Sequence, residues 1–481
     1  MTAATLHSDV LIIGAGSAGS VVANRLSADP NCSVTVLEAG AGVGDPAVRA
    51  QIANGLQLPI GAASPLAHRY VTTLTEQWVR RAHIVRGAVV GGSGAINGGY
   101  FCRGLPRDFD SIGLPGWSWS DALGHFQAIE TDLDFRNGLH GDRGPIPVRR
   151  THEISRSTAY FVEGALHAGY PWITDLNGEA AAAAIPSGVG AVPLNIVDGV
   201  RTGPGAAFLQ PALARSNLTL LAATRVVRVR ISQGRAVGVD AVADGGPMSL
   251  NADRIVLSAG AIESAHLLML SGVGDASDLR CAGIPVQVSL PVGKRFADHP
   301  EWVLRTNWAV APNRPVLEVV LSTGDDLEIR PYTGGFVAMV GDGTGGHPDW
   351  PHIGVALMQP RSRGRITVVS ADPRVPPHIE HRYDCDPQDI ASLQRGSELV
   401  RELVGSTTKI GPPAWSTSQH LSGTAPMGDD GDEYAVLDAR CRVRGIDGLW
   451  VIDGSVLPTI TSRGPHASIV MLGHRAAEFV N

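Results

Sequence analysis

Three glycines near the start of the chain, Gly14, Gly16 and Gly19 of GAGSAG, carry the spacing of a phosphate-binding turn. They follow the apolar run Asp9 to Ile13 and open an alanine-rich helical stretch to about Ser27; Ser33 to Leu37 then reads as a second strand ending at Glu38. Strand, glycine turn, helix and acid-tipped strand make a βαβ unit suited to a dinucleotide. Gly14 permits the tight turn, Gly16 lets the backbone approach a pyrophosphate, and Gly19 lets the helix lie close to the strand. Ser17 and Ala18 sit in the first turn of that helix, whose free amides face the phosphate charge. Glu38 is placed to accept hydrogen bonds from the adenosine ribose. This unit leaves NAD and FAD both open.

A second cluster, RGAVVGGSGAINGG from Arg86 to Gly99, is different in kind. The glycines Gly91, Gly92, Gly98 and Gly99 let a peptide lie against a flat ring or a phosphate, and Asn97 beside Ser93 offers an amide that both donates and accepts. No second GxGxxG that opens a helical stretch occurs mid-chain, where a flavoprotein that also binds NAD would carry one. Other chemistry is set aside on the residues themselves. His378 and His381 lie in a proline-flanked, strand-like segment, so no metal is expected there or elsewhere. GxSxG is absent, which removes the nucleophile of an α/β-hydrolase. Trp78, Trp117 and Trp119 read as core or cofactor-cover residues.

The elements that must hold these groups can be read coarsely. Ala41 to Thr75 is rich in Gly, Pro and Ala and reads as a long surface excursion. Asn217 to Val239 alternates apolar and polar residues around a Gln233-Gly234 turn, an antiparallel hairpin. Asp253 to Ala259 is a strand, followed by Gly260 and a helix to about Ser271. Trp302 to Ile329 and Gly334 to Val340 read as strands, and Pro387 to Val404 as a helix. The last segment runs from a strand at Leu449 to Ile452, through a loop with Pro458 and Pro465, to a helix reaching Val480.

A chain of 481 residues exceeds one ordinary core, so two domains are expected. Hydrophobic residues at 44% and charged residues at 18% exclude disorder. A net charge of -7 gives no footprint for nucleic acid. The five cysteines are scattered without CxxC spacing and read as reduced. Ile255 to Gly274 is the most apolar long window, but Glu263 and His266 near its middle make it a buried strand and helix rather than a membrane span. With no export signal visible before Asp9, a cytoplasmic protein is expected, peripheral contact with the inner face of a membrane being left open.

These motifs together resemble the glucose-methanol-choline (GMC) oxidoreductases, flavoenzymes that oxidise alcohols. The resemblance runs from Asp9 to Val480 through GAGSAG, LEAG (Leu37 to Gly40), RGAVVGGSGAIN, GWSW, HGDRGPIPV, SAGAIESAHLLMLSGVG, PVGKRFADHP (Pro291 to Pro300), RSRGRITVVSADPRVPP, HLSGTAPMG (His420 to Gly428) and VIDGSVLP (Val451 to Pro458). It implies an α/β fold: a Rossmann-like FAD domain built from the discontinuous segments 1–150, 200–298 and 430–481. An α+β substrate domain of antiparallel sheet and helices, 151–199 and 299–429, is inserted between them. It also implies that Arg86 to Gly99 lies by the pyrophosphate and isoalloxazine, that the Val226 backbone meets the adenine, and that Asp453 and Gly454 lie near the ribityl-pyrophosphate. The glycine-rich loop lacks the histidine of covalently flavinylated members, so FAD is expected to be non-covalent.

The resemblance also assigns chemistry to His420, in the HxxGT pattern, as the base that takes an alcohol proton while hydride leaves the carbon for flavin N5. The family's second polar residue, often Asn before Pro, falls here on Gly464-Pro465, and His466 is expected to fill the role. Pro465 opens the last helix, whose N-terminus favours negative charge. The expected function is an alcohol dehydrogenase passing electrons to a non-oxygen acceptor. Rival readings are a peroxide-releasing oxidase, a non-redox lyase and an electron-transfer module. Length and the presence of only two lysines, Lys294 and Lys409, are similar to actinobacterial members associated with the redox cofactor mycofactocin, in which the reduced cofactor would be the substrate and the respiratory chain the acceptor.

Overall fold

The computed structural model describes residues 7–178, 187–335 and 350–480. Strand β1 (His7–Ile13), helix α1 (Ser17–Leu26) and β2 (Val34–Leu37) form the N-terminal βαβ unit. Val10 to Ile13 pair in parallel with Val34 to Leu37, and both runs are buried and, Thr35 apart, apolar, as suits strands covered on two faces. The same sheet takes in β3 (Leu218–Leu221), β4 (Arg225–Ser232), β5 (Arg235–Ala243), β6 (Gly246–Leu257) and β7 (Leu449–Val451). Its order is β3-β2-β1-β6-β5-β4, with β7 also on β6.

Strand β6 organises this sheet. Its first half pairs antiparallel with β5, its second half runs parallel to β1, and its last three residues run parallel to β7. One Rossmann-like sheet is thereby assembled from the start, the middle and the end of the chain. The β4–β5 hairpin turns at Gln233 and Gly234, both left-handed at φ +49° and +77°. Two such residues in succession match the twist of the strands they join.

A second seven-stranded sheet carries, in spatial order, Ala414–Thr417, Pro300–Arg305, His352–Leu357, Leu327–Pro331, Val319–Ser322, Gly188–Ala191 and Trp172–Ile173. All neighbours are antiparallel except the last pair. The two-residue period divides its faces. Leu304, Leu327, Ile329 and Val355 pack with Phe161, Leu393 and Val400, the latter two from the long helix Pro387–Val404. Glu301, Glu328 and Arg330 alternate with them and therefore point to the opposite face, toward the first sheet.

Two sequence expectations are corrected or lie outside the description. Ala41 to Thr75 is not a featureless excursion: it contains the helix Pro46–Ala53, capped by Asp45, and the strand Ala67–Thr75, paired with Arg80–Gly87. Tyr70, Thr72 and Leu74 are buried in alternation, but the threonines blur that period in the sequence. The strand expected at Gly334 to Val340 falls largely outside the described residues. The apolar window Ile255 to Gly274 is the end of β6 and the helix α2 (Gly260–Leu270), and among the described residues no helix is long and apolar enough to cross a membrane.

Candidate active site

A cavity of about 890 Å³ begins where β1 and β2 end and continues to the polar face of the second sheet. Gly14, Gly16, Ser17, Ala18 and Glu38 line its first part. No side chain caps the N-terminus of α1, so its first amides stay open for an anion. Across from Gly16 stands Gly92, at φ +55°, in the short turn Gly92–Ala95; a Cβ there would lie 2.8 Å from the Gly16 Cα. Two backbones meet here with no side chain between them. Glu38 is held in place by amides, its Oε2 accepting from Ala15 N (2.9 Å) and its Oε1 from Gly40 N (2.8 Å). Burial pushes its carboxyl up, and those two bonds oppose the rise.

Val226 lies on β4, the outer edge of the sheet, so one side of its backbone is free of ladder pairing, and it lines the cavity. Arg86, Ser93, Asn97 and Gly98 line it too. Asn97 Oδ1 accepts from Gly99 N (2.9 Å) and Ser93 Oγ from Gly87 N (3.1 Å). Gly19, Gly91 and Gly99 do not line the cavity; they shape the backbone behind it. Asp453 and Gly454 do line it, but the Asp453 carboxylate already accepts from Gly260 N, Ser264 Oγ, Ser455 N and Ser455 Oγ. It ties the start of α2 to the turn Gly454–Val456, which leaves the backbone there for a ligand. Open helix amides, facing glycine backbones, a ribose-placed acid and a free strand edge fit an FAD-sized dinucleotide.

Beyond this groove, His420 lines the cavity. Its Nδ1 lies 2.8 Å from Nδ1 of His299, the two rings edge to face, and His299 Nε2 lies 3.0 Å from the Thr461 carbonyl oxygen. Asp298 holds both backbones: its Oδ1 accepts from His420 N and His299 N, each at 2.7 Å. Its Oδ2 accepts from Thr417 Oγ1 (2.9 Å) and meets His381 Nε2 (3.0 Å). Burial alone would raise the Asp298 carboxyl, yet the His381 bond and surrounding positive charge hold it well below the usual carboxylate range. Burial, then the neighbouring His299 and Arg330, push His420 well below the ordinary histidine value. Burial and Arg330 push His299 down to about 4.

His466 opens the last helix, α3 (His466–Ala476), and its ring abuts Phe101 edge-on. A Cβ on Gly94 would lie 2.5 Å from its Nε2. Neither ring nitrogen finds a partner of hydrogen-bond geometry, and burial, then Arg201, lower it to about 4. The ring that engages His420 is His299, while His466 lines the same cavity. Pro465 lines the cavity beside Gly464, which faces His420: a Cβ there would lie 3.4 Å from its Cε1.

The chamber wall is charged but balanced. Glu301 accepts from Arg330 Nη1 (3.1 Å), Tyr332 OH (2.8 Å) and Ser418 Oγ (2.8 Å). Glu328 accepts from Arg330 Nε (2.8 Å), Arg463 Nη1 (3.0 Å) and Tyr100 OH (2.9 Å). Elsewhere, Glu130, Asp132 and His140 bring three ligand-type side chains together, but Arg103 and Arg150 pair with those carboxylates, and Asp175 with His140. Among the described residues that trio is an internal ion network. Sequence reasoning missed His299, Asp298, Thr461 and Arg330; the signal for the first two was the Asp-His-Pro ending of PVGKRFADHP.

A doubly wound sheet with a phosphate turn, and a half-buried histidine on the wall of the crevice outside its strand ends, fit a dinucleotide-dependent enzyme. The chain belongs to the GMC oxidoreductase family: the family's N-terminal model matches residues 8–301 and its C-terminal model residues 360–473. It is 39% identical to an uncharacterized GMC-type oxidoreductase in the thcA 5' region of Rhodococcus erythropolis, covering 98% of each chain. It is 31% identical to an oxygen-dependent choline dehydrogenase of Photobacterium profundum, over 98% of this chain and 92% of the relative. The crystal structure of pyridoxine 4-oxidase from Mesorbium loti superposes with a TM-score of 0.88 at 27% identity, covering 98% of both chains.

Proposed function

We propose that this protein oxidises an alcohol, His420 taking the hydroxyl proton at Nε2 as hydride leaves the carbon. FAD, held by Gly14 to Gly19, Glu38, the Arg86 to Gly98 loop and the Val226 and Asp453-Gly454 backbones, supplies the hydride acceptor. The observation that carries this reading is the placement of His420 on the cavity wall with Nδ1 engaged by His299, so that Nε2 is the nitrogen left for a substrate hydroxyl. Burial keeps the ring neutral and able to accept a proton. The Asp298 carboxylate behind it favours the positive charge that then develops. Gly464 leaves the space beside His420 free of a side chain, and the His466 ring, on the same cavity, packs under Gly94.

The reading extends to non-covalent FAD, since Arg86 to Gly99 contains no histidine to form a ring bond. Acid precipitation is expected to release all the flavin. Electrons are assigned to a non-oxygen acceptor, with a respiratory-chain component as the partner and a cytoplasmic site at the membrane's inner face. Length and lysine-poor composition support reduced mycofactocin as the alcohol. The similar proteins carry both dehydrogenase and oxidase names, so the acceptor has to be decided at the bench.

The test is anaerobic mixing of the purified protein with choline, pyridoxine, benzyl alcohol or 1-butanol while the flavin band is followed. Bleaching by at least one, or by reduced mycofactocin added in the same way, supports alcohol oxidation; a flavin that none of these bleaches, in a protein that reduces normally with dithionite, overturns it. Turnover with an artificial dye is expected to exceed turnover with oxygen by at least about tenfold, a barrier difference of roughly 1.4 kcal/mol. Peroxide released at the dye rate would make the protein an oxidase.

A further inference from the structure

We propose that His299 is a positioning residue that holds His420 in its Nδ1–H tautomer and so reserves Nε2 for the substrate proton. The inference rests on the reading of His420 as the base and adds the device that makes it one. The polarity of the chain of contacts is dictated from its far end. Thr461 O is a carbonyl and can only accept, so His299 Nε2 must carry a hydrogen. A neutral His299 then has a bare Nδ1, and the 2.8 Å contact to Nδ1 of His420 requires His420 to be the donor. His420 is left with its lone pair on Nε2.

The surroundings keep this order from reversing. His299 is buried beside the Arg330 guanidinium, which disfavours a second proton on it. Its backbone and that of His420 hang from one carboxylate oxygen of Asp298, so the two rings cannot slide past one another without breaking both bonds. The Thr461 carbonyl is itself anchored: Thr461 Oγ1 donates to Arg463 O (2.7 Å), and Gln359 Nε2 donates to the preceding carbonyl of Ile460 (2.9 Å). The arrangement matters because a free neutral imidazole favours the Nε2–H form, which would place a hydrogen where the base needs its lone pair. A carboxylate in the place of His299 would orient the ring and also raise its proton affinity. A neutral imidazole orients it alone, and the same Nδ1–H bond persists after Nε2 has taken its proton.

The test uses the flavin-loaded protein with ring-15N histidine, the His420 and His299 signals being assigned with His420→Ala and His299→Asn. The expected result is a protonated Nδ1 and a bare Nε2 on His420, with the opposite pattern on His299. A His420 protonated on Nε2 overturns the proposal whether or not any alcohol is a substrate. In His299→Leu the His420 signals should move toward exchange between the two tautomers. With whichever of the four alcohols bleaches the flavin fastest, its reduction should slow by about 10- to 100-fold at nearly unchanged KM and flavin content. His299→Asn places an acceptor near the lost Nδ1 and should recover the rate to within about threefold. Equal slowing in both variants would reduce His299 to a packing role. A His420→Ala protein reduced as fast as the wild type would remove the base reading while leaving the tautomer measurement intact.

Discussion

Asp298→Asn changes almost no volume and removes one charge, which isolates what the carboxylate does. Its four contacts come from His420 N, His299 N, Thr417 Oγ1 and His381 Nε2. An amide has one accepting oxygen, so its NH2 must face either the two backbone N–H groups or the Thr417 and His381 side. The second orientation is the cheaper, because backbone N–H groups cannot change role, whereas Thr417 Oγ1, which already accepts from Tyr383 OH and Gln419 N, can exchange partners with the tyrosine hydroxyl. His381 then loses its buried anion. A buried hydrogen bond to a charged carboxylate is worth about 1.5–3 kcal/mol, more than the roughly 1 kcal/mol of an ordinary one. The flavin-loaded variant should show a lower urea midpoint corresponding to that loss. A cycle with His381→Gln should give a coupling of at least about 1.5 kcal/mol. A loss below about 1 kcal/mol, or additive single effects, would refute the view that Asp298 anchors this site electrostatically.

Other outcomes follow from the same geometry. A Cβ on Gly16 meets Ser258 O at 3.8 Å and Gly92 Cα at 3.9 Å, ordinary contacts, so Gly16→Val should fold but purify colourless, and full flavin occupancy would disprove the pyrophosphate path. His420→Ala should keep its flavin and slow flavin reduction by about 10²- to 10⁴-fold, whereas His466→Ala should cost flavin affinity more than rate. Because His420 is held well below its ordinary value, the acid limb of flavin reduction should lie below pH 6.5, and a limb at or above that pH contradicts the burial argument. His299 and His466 both sit at about 4 when folded, so between pH 6.5 and 4 the unfolded chain binds more protons than the folded one. Stability should be full above pH 6.5 and fall through that window, and a thermal midpoint that stays level from pH 7 to 4.5 would deny that these rings are buried neutral.

Local signals in the sequence carried far, and non-local ones did not. The helix Pro387–Val404 could be read to the residue, because Asp386 caps it, proline opens it and one face is apolar. The Gln233-Gly234 turn announced its hairpin for an equally local reason. Strand Ala67–Thr75 escaped because its buried positions include threonine, which the eye takes as polar. The groove residues were found because glycine spacing is a backbone requirement written in one place. The partner of His420 was not, since the bond that sets its proton runs from His299 to a main-chain carbonyl 162 residues away. No side-chain pattern encodes which way a carbonyl points. His466 was chosen for its neighbourhood in sequence; its ring reaches the cavity while packing against Gly94 and Phe101.

The route of strand β6 bears on how the molecule comes to exist. Residues 7–13 emerge first during synthesis but find their β6 partners only after residue 257, and the other side of those partners waits for 449–451. Pairings of that separation are slow to close and leave apolar edges open meanwhile. The phosphate turn at Gly14, although almost the first thing made, is backed by Ser258, whose hydroxyl is in turn held by the Ile452 carbonyl, and so is among the last to take its working shape. A growing chain can thus present a complete-looking βαβ unit that is not yet able to hold a dinucleotide. A ligand that binds only the closed sheet would then act as a late clamp on folding, and starving cells of it should leave an aggregation-prone pool rather than a soluble empty enzyme.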